Sequence, residues 1–239
     1  MTLPVAILAG GMATRLRPIT EKIPKALVEV AGRPFIDHQL ALLRAQGYTR
    51  VVLCIGYLGE MLQRYLGDGA RLGMNITYVT DGPKLLGTGG ALRLAVPQLG
   101  DSCLILYGDS YLPCGFHDVE EAFQRSAMPA LMTVLKNDDR WDTSNVVYRD
   151  GMVLRYDKKQ KTHEMRYIDY GLSAMQTAVL RRYNDGTVFD LAEVFSTLAH
   201  EGKLAGFEVT ERFYEIGSPA GLAETQRYLQ ANPHIDCIQ

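Results

Sequence analysis

The residues best suited to chemistry lie early in the chain. Gly10-Gly11 follow a short apolar run, and the loop after them carries Arg15, Arg17, Lys22 and Lys25. Glycines let the main chain approach an anion closely, and successive N–H groups can then cradle phosphate oxygens. Arg15 and Lys25 would neutralise a polyphosphate lying on that loop. The spacing is not that of a Walker A loop, because Arg15 stands where the second glycine belongs, and G-x-G-x-x-G is absent as well. A second signal is Tyr107-Gly108-Asp109-Ser110, a carboxylate just past an apolar run and a glycine. That position suits a metal ion, and it suits a turn or a helix cap equally well. Between them, Asp81-Gly82 and Gly87-Thr88-Gly89-Gly90 form a glycine-rich stretch. It would let a flat base lie on the backbone, or a helix pack close to a sheet. The histidines at 38, 117, 163, 200 and 234 form no i, i+4 ligand pair. Cys54, Cys103, Cys114 and Cys237 form no C-x-x-C pair and no zinc spacing with a histidine.

These residues need a scaffold that brings them to one edge. Residues 5–9, 50–55, 75–79, 102–107 and 130–135 read as buried strands. Residues 34–46, 89–95 and 116–126 read as helices, the first with Pro34 in its opening turn and Gly47 as its stop. Strands alternating with helices predict βαβ units, hence an α/β fold with a Rossmann-like, mainly parallel sheet flanked by helices. Ligands bind beyond the carboxyl ends of such strands, so Gly10-Gly11 and Gly108-Asp109-Ser110 fall on one rim. The second half changes texture. Residues 145–149 and 152–156 read as a hairpin around Asp150-Gly151, and 166–176 as an extended segment interrupted by Gly171. Residues 190–200 read as a helix with Leu191, Val194, Phe195 and Leu198 on one face. Ser218-Pro219 caps a final helix running to about residue 230. No repeat, low-complexity tract or long linker is visible, so a single domain over 1–239 with a β-rich insertion is expected.

Composition narrows the field. Lys plus Arg is 25 and Asp plus Glu is 27 in 239 residues, a net charge of −2, which leaves no basic surplus for general nucleic-acid binding. Hydrophobic residues at 47% and charged residues at 22% describe a folded globular chain. Met1-Thr2-Leu3-Pro4 has no basic n-region, and no apolar run reaches the length of a membrane span. We therefore expect no signal peptide, no membrane partner, reduced cysteines and a cytoplasmic location.

The loop closely resembles the signature of the sugar-1-phosphate nucleotidyltransferases, G-G-x-G-T-R-L-x-P-x-T followed by P-K-P. Here it reads Gly10-Gly11-Met12-Ala13-Thr14-Arg15-Leu16-Arg17-Pro18-Ile19-Thr20, then Pro24-Lys25-Ala26, with Ala13 for a usual glycine and Ala26 for a usual proline. Leu86-Gly87-Thr88-Gly89-Gly90-Ala91 is similar to the family's L-G-T-x-G-A stretch beside the nucleobase. Glu215-Ile216-Gly217-Ser218-Pro219 is similar to its D-x-G-[ST]-P pattern, with glutamate for aspartate. Tyr156-Asp157-Lys158 and Tyr167-Ile168-Asp169-Tyr170-Gly171 are similar to its sugar-phosphate segments. The likeness runs to about residue 225. It is strongest to short stand-alone members similar to D-glycero-D-manno-heptose 1-phosphate guanylyltransferases, without the left-handed β-helix of larger relatives.

The resemblance implies a GT-A-like nucleotidyltransferase fold with a small β-rich sugar-binding insertion. Residues 1–135 would form the nucleotide part, 136–217 most of the sugar-phosphate part, and 218–239 a C-terminal helix and tail. The implied reaction takes a nucleoside triphosphate and a sugar 1-phosphate to a nucleoside-diphosphate sugar and pyrophosphate, with Mg²⁺ as cofactor. The implied catalytic residues are Arg15, on the leaving pyrophosphate, and Lys25, on the phosphates near the reacting phosphorus. Leu8, Ala9, Gly10, Gly11, Asp81, Gly87 and Thr88 would bind the nucleotide. Lys158, Asp169, Tyr170 and Gly171 would hold the sugar phosphate, and Asp109 and Glu215 the metal. For Asp169 and Tyr170, hydrogen bonds to sugar hydroxyls and satisfied core positions both stay open. So do a sugar-pocket and a core or lid role for Trp141. Guanine offers two adjacent N–H donors that one carboxylate, Asp81, can accept, which favours GTP with the heptose 1-phosphate. Uridylyl or cytidylyl transfer to N-acetylmuramate, glucose or mannose 1-phosphate is the alternative. A non-catalytic sugar-nucleotide sensor is the alternative from another class. The protein would act as a monomer or homodimer.

Overall fold

The computed structural model describes residues 2–233. In chain order the elements are β1 (Val5–Leu8), β2 (Glu29–Val30), β3 (Arg33–Pro34), α1 (Phe35–Ala45), β4 (Arg50–Ile55), α2 (Gly59–Leu66), β5 (Asn75–Thr80), α3 (Gly87–Leu99), β6 (Ser102–Tyr107), β7 (Ser110–Tyr111), α4 (Phe116–Ser126), β8 (Ala130–Lys136), β9 (Val146–Arg149), β10 (Met152–Tyr156), β11 (Tyr167–Gln176), α5 (Leu191–His200), β12 (Leu204–Val209), β13 (Tyr214–Glu215) and α6 (Pro219–Ala231). Asp190 and Ser218 cap α5 and α6, each accepting a main-chain N–H from the first turn.

Nine strands make one sheet in the order β5-β4-β1-β6-β11-β8-β12-β10-β9. Strands β5, β4, β1 and β6 are mutually parallel, as the alternation of strands and helices predicts. The expectation of a mainly parallel sheet fails beyond β6. Strand β11 enters antiparallel between β6 and β8, and the β9–β10 hairpin runs antiparallel at the far edge; only β8 and β12 pair in parallel there. The sheet is therefore mixed. At the β9–β10 edge the cause is local, since a tight turn reverses the chain whereas parallel neighbours need a long crossover; β11 instead pairs with strands distant in sequence. At the hairpin, Asp150 (φ 50°) and Gly151 (φ 78°) both take the left-handed backbone that a tight two-residue turn requires. The β-rich section thus extends the main sheet.

Successive side chains of β1 go to opposite faces. Val5 and Ile7 join Ile36, Leu40, Leu53, Phe116 and Leu172 on the face covered by α1, α2 and α4. Ala6 joins Val52, Leu92, Val96, Ile105 and Phe195 on the face covered by α3 and α5. A smaller cluster of Val28, Val30, Phe35, Tyr111, Ile216 and Leu229 fixes α6 and β13 against β7. Cys54, Cys103 and Cys114 are buried free thiols; Cys237 and His234 lie outside the described residues. Among the described residues no helix is long and apolar enough to cross a membrane.

Candidate active site

Past the end of β1 the chain stays clipped to the sheet. Ala9 N–H donates to Cys54 O (2.9 Å), and Gly108 N–H donates to Leu8 O (3.0 Å). Gly10 then passes against Gly56, and its carbonyl accepts from Tyr57 N–H (3.2 Å). Ala13 is left-handed (φ 49°, ψ 46°), and its carbonyl accepts from Leu16 N–H (3.1 Å) and Thr20 Oγ1 (2.8 Å). The alanine therefore holds the backbone that a glycine at this position adopts freely, at a cost of about 1–2 kcal/mol. That turn sets Arg15 on an exposed stub of helix.

At the carboxyl end of β5, Asp81 Oδ2 accepts from Leu86 N–H (3.0 Å) and fixes the approach to α3. Its other oxygen is buried without a partner, and burial pushes this carboxyl above the usual carboxylate range. Gly87 opens α3 at φ 75°, so close to Phe189 that a Cβ would stand 2.6 Å from its carbonyl oxygen. Thr88 Oγ1 donates to Asp190 Oδ1 (2.8 Å) and accepts from Leu191 N–H (2.8 Å), tying the start of α3 to that of α5.

Two cavities open at this edge. One, of about 250 Å³, is lined by Leu8, Ala9, Gly10, Gly11, Lys25, Asp81, Gly87 and Thr88, so the expected nucleotide residues and Lys25 converge. The other, of about 720 Å³, is lined by Arg15, Trp141, Lys158, Asp169, Tyr170, Gly171 and Glu215. Tyr107 and Asp109 line both. Arg15 thus sits on the second cavity, apart from Lys25.

Asp109 is the centre of the shared wall. Its Oδ2 lies 2.9 Å from Lys25 Nζ. The two-residue strands β7 and β13 pair Ser110 with Glu215, and Ile216 N–H donates to Asp109 O (2.9 Å). Glu215 folds back on its own loop: Oε2 accepts from Gly217 N–H, and Oε1 from Ser218 Oγ (2.8 Å). Gly217 stands between the carboxylates; a Cβ there would collide with Glu215 Oε2 and lie 3.6 Å from Asp109 Oδ2. That cradle fits a divalent ion held by two carboxylates, with phosphate and water completing it. Among the described residues no cluster of three or more His, Cys, Asp or Glu offers an all-protein cage.

On the second cavity, Asp157 Oδ1 accepts the N–H groups of Lys159 (2.8 Å) and Gln160 (2.9 Å), turning the chain sharply after β10. Lys158 then reaches over the rings of Tyr107 (5.3 Å) and Tyr156 (5.8 Å), with its Nζ 3.9 Å from Asp169 Oδ2. Asp169 is almost fully buried; it accepts from Tyr156 OH (2.8 Å) and Gly171 N–H (3.1 Å). Burial, and then the Asp169 charge, hold the Tyr107 and Tyr156 phenols far above their usual range, so both stay protonated.

For Tyr170 two readings stood open, and its burial accords with the core one. Residues 168, 170 and 172 alternate onto the α4 face, so its ring packs edge-on to Phe213 and its hydroxyl is buried beside Cys114. Tyr170 still forms part of the wall of the 720 Å³ cavity. Tyr107, which lines both cavities, is a wall residue that sequence reasoning missed. Its position as the last residue of a strand before Gly108-Asp109 was the available signal.

The profile of the nucleotidyl transferase family matches residues 5–224. The mannose-1-phosphate guanylyltransferase catalytic subunit beta of Danio rerio is 31% identical over 219 residues, 89% of this chain and 61% of that protein. The glucose-1-phosphate thymidylyltransferase of Streptomyces antibioticus is 38% identical over 130 residues, 54% of this chain and 36% of its own. The chain thus spans less than two thirds of the length of these relatives. Among solved structures, HddC from Yersinia pseudotuberculosis superposes with a TM-score of 0.82 at 22% identity, covering 95% of this chain and 100% of that one. A Bacillus anthracis chain described as a putative glucose-1-phosphate thymidylyltransferase superposes with a TM-score of 0.83 at 21% identity, covering 95% of each. The structural likeness establishes the fold.

Proposed function

The chain belongs to the nucleotidyl transferase family, and on that footing we propose that it joins a nucleoside triphosphate to a sugar 1-phosphate, releasing pyrophosphate. The observation that carries this reading is the pair of cavities meeting at Tyr107 and Asp109, one lined by the glycine loop and Lys25, the other by Lys158 and Arg15. A phosphate oxygen of the sugar 1-phosphate forms the new bond to the α-phosphorus, and the bond from that phosphorus to the bridging oxygen of the leaving pyrophosphate breaks. The attacking oxygen is already anionic near neutral pH, so no side chain need remove a proton. The obstacle is the approach of two anions, and catalysis becomes positioning plus neutralisation. Lys25 and Arg15 neutralise phosphate charge from the two sides, and Lys158, braced by Asp169, holds the sugar phosphate. Asp109 and Glu215 would hold Mg²⁺, which supplies further charge neutralisation when bound.

For the base, the unpartnered Asp81 oxygen on the nucleotide cavity supports a ligand that brings donors, as guanine does. The names of the first relatives point the same way and add mannose 1-phosphate. GTP with a manno-configured sugar 1-phosphate, D-mannose or D-glycero-D-manno-heptose, is therefore the favoured pair. Pyrophosphate release across GTP, CTP, UTP, dTTP and ATP against the heptose, mannose, glucose and N-acetylmuramate 1-phosphates, each with Mg²⁺, tests it. A signal with another pair keeps the mechanism and replaces the specificity. Silence in every pair, with nucleotide binding retained, overturns the catalytic reading in favour of a sensor.

A further inference from the structure

The loop between β8 and β9 is tied down more firmly than a surface connection needs. Asn137 is fully buried; its amide donates to Asp142 O (2.6 Å) and Ser144 Oγ (3.0 Å), and its Oδ1 accepts from Trp141 N–H (3.3 Å). Ser144 N–H donates to Asp139 Oδ1 (2.8 Å). Asp138 and Asp139 are both left-handed (φ 45° and 60°), and their carboxylates are held by Arg166 (2.7 Å) and Lys161. Consecutive strained residues persist only where the surroundings over-determine them, and they gather at working sites.

What this loop presents is Trp141, a large apolar side chain left 37% exposed. It lines both the 720 Å³ cavity and a smaller one of about 190 Å³ beside it. The Arg212 guanidinium lies 5.3 Å from the indole centroid and 5.2 Å from that of Tyr214, and it is paired with Glu224 of α6. Trp141 is thus braced against the helix whose cap, Ser218, holds Glu215.

Resting on the nucleotidyl-transfer reading, we propose that the Trp141 indole is the platform on which the sugar ring of the acceptor packs, and that Arg212 is the positioning residue that sets its angle. A pyranose ring presents a face of C–H groups, which an aromatic face accepts through contact area and its negative quadrupole. The phosphate is held by Lys158 at one end; the indole then discriminates by the ring face and its substituents. The platform acts on the sugar substrate alone, since Trp141 is not among the residues lining the nucleotide cavity.

Trp141 is the single tryptophan of the chain, so its emission reports the platform without labelling. The full chain is titrated, with a non-hydrolysable GTP analogue and Mg²⁺ present, with mannose 1-phosphate, glucose 1-phosphate and the heptose 1-phosphate, while pyrophosphate release is measured in parallel with GTP. The acceptor that supports release should shift or quench the emission saturably, and the analogue alone should leave it unchanged. Trp141→Ala should raise KM for that acceptor about three- to tenfold, the equivalent of one lost aromatic contact, with KM for GTP within about twofold. Trp141→Phe, which keeps a ring and guards against misfolding, should recover most of the loss. Arg212→Met should keep the emission but weaken its response to the acceptor and raise the same KM. Pyrophosphate release with no emission change at saturating acceptor, or an unchanged acceptor KM in Trp141→Ala, overturns the platform. Silence in all release assays overturns the reading beneath it.

Discussion

Asp109→Asn keeps the size of the side chain and removes one charge from the wall shared by the two cavities. Among the described residues that charge has one ionic partner, Lys25 at 2.9 Å, with the two side chains 34% and 18% exposed respectively. Exposed pairs contribute about 0–1 kcal/mol, and breaking a buried one costs about 3–5 kcal/mol. This pair lies between the limits. The open side of Asp109 admits water, so about 1 kcal/mol of stability should be lost, a few degrees in Tm for a chain of this length. Turnover answers to a different quantity. One preorganised electrostatic contact made to the transition state is worth about 100–1,000-fold, or about 2.7–4 kcal/mol. We therefore expect kcat for pyrophosphate release to fall at least about 100-fold at saturating Mg²⁺, with the urea midpoint shifted only slightly. A double-mutant cycle with Lys25→Met separates two roles. If Asp109 only holds Lys25 in place, its substitution costs nothing further once Lys25 is gone. If it also holds the metal, the double variant loses at least about another tenfold. Near-normal turnover of Asp109→Asn would falsify the metal assignment, and a double variant no slower than Lys25→Met reduces Asp109 to a partner of Lys25.

Three further predictions concern the walls of the nucleotide cavity. Ala13→Gly removes about 1–2 kcal/mol of left-handed strain and returns about 0.4–1 kcal/mol of chain freedom to the unfolded state, so urea unfolding should show a net gain of about 0.5–1 kcal/mol; a lower midpoint contradicts the backbone assignment. Burial raises the Asp81 carboxyl, so the folded chain holds that proton more tightly than the unfolded one. Its contribution to stability therefore declines as pH rises from the ordinary aspartate value of 3.8 through the raised value, and stays lower above it. The stability of the parent relative to Asp81→Asn, from paired urea titrations, should fall over that window, and a rise with pH refutes the burial argument. The same variant should narrow the preference for GTP over other triphosphates in pyrophosphate release.

The placement of much of the candidate site was legible because it is local. A strand running into Gly10-Gly11, a basic loop and a carboxylate after Gly108 can be read from residue types in sequence, and all reach one rim. The partners of β11 were not legible. Ten residues of extended chain do not say whether they will lie beside β6 and β8 or at an edge, because pairing is decided by distant hydrophobic faces. The same limit applies to Tyr170: which side of the sheet it faces depends on which face α4 covers. Helix α2 was missed for another reason. It has eight residues, and among its side chains only Leu62 and Leu66 are buried, too few to display a helical period.

The most instructive departure from the family pattern is Glu215, where aspartate is usual. A longer arm alone would carry the carboxylate past the position beside Asp109. The loop that follows absorbs the difference. Glu215 turns back to accept from Gly217 N–H and Ser218 Oγ, and a Cβ on either Gly217 or Gly221 would collide with it. Two glycines thus leave open the volume that the extra methylene needs. Ser218 in turn accepts from Gly221 N–H as the cap of α6 (3.0 Å), and Thr225 Oγ1 donates to the Glu215 carbonyl (2.8 Å), so the helix grips both ends of the residue. The carboxylate is fixed by hydrogen bonds to its own loop and needs no cation to hold its place. Asp109, by contrast, has Lys25 as its counter-ion, and Lys25 also lines the nucleotide cavity. On the proposed function, Asp109 is therefore the carboxylate whose surroundings would rearrange on phosphate binding, because the charge Lys25 would bring to the phosphates is the charge it now shares with Asp109.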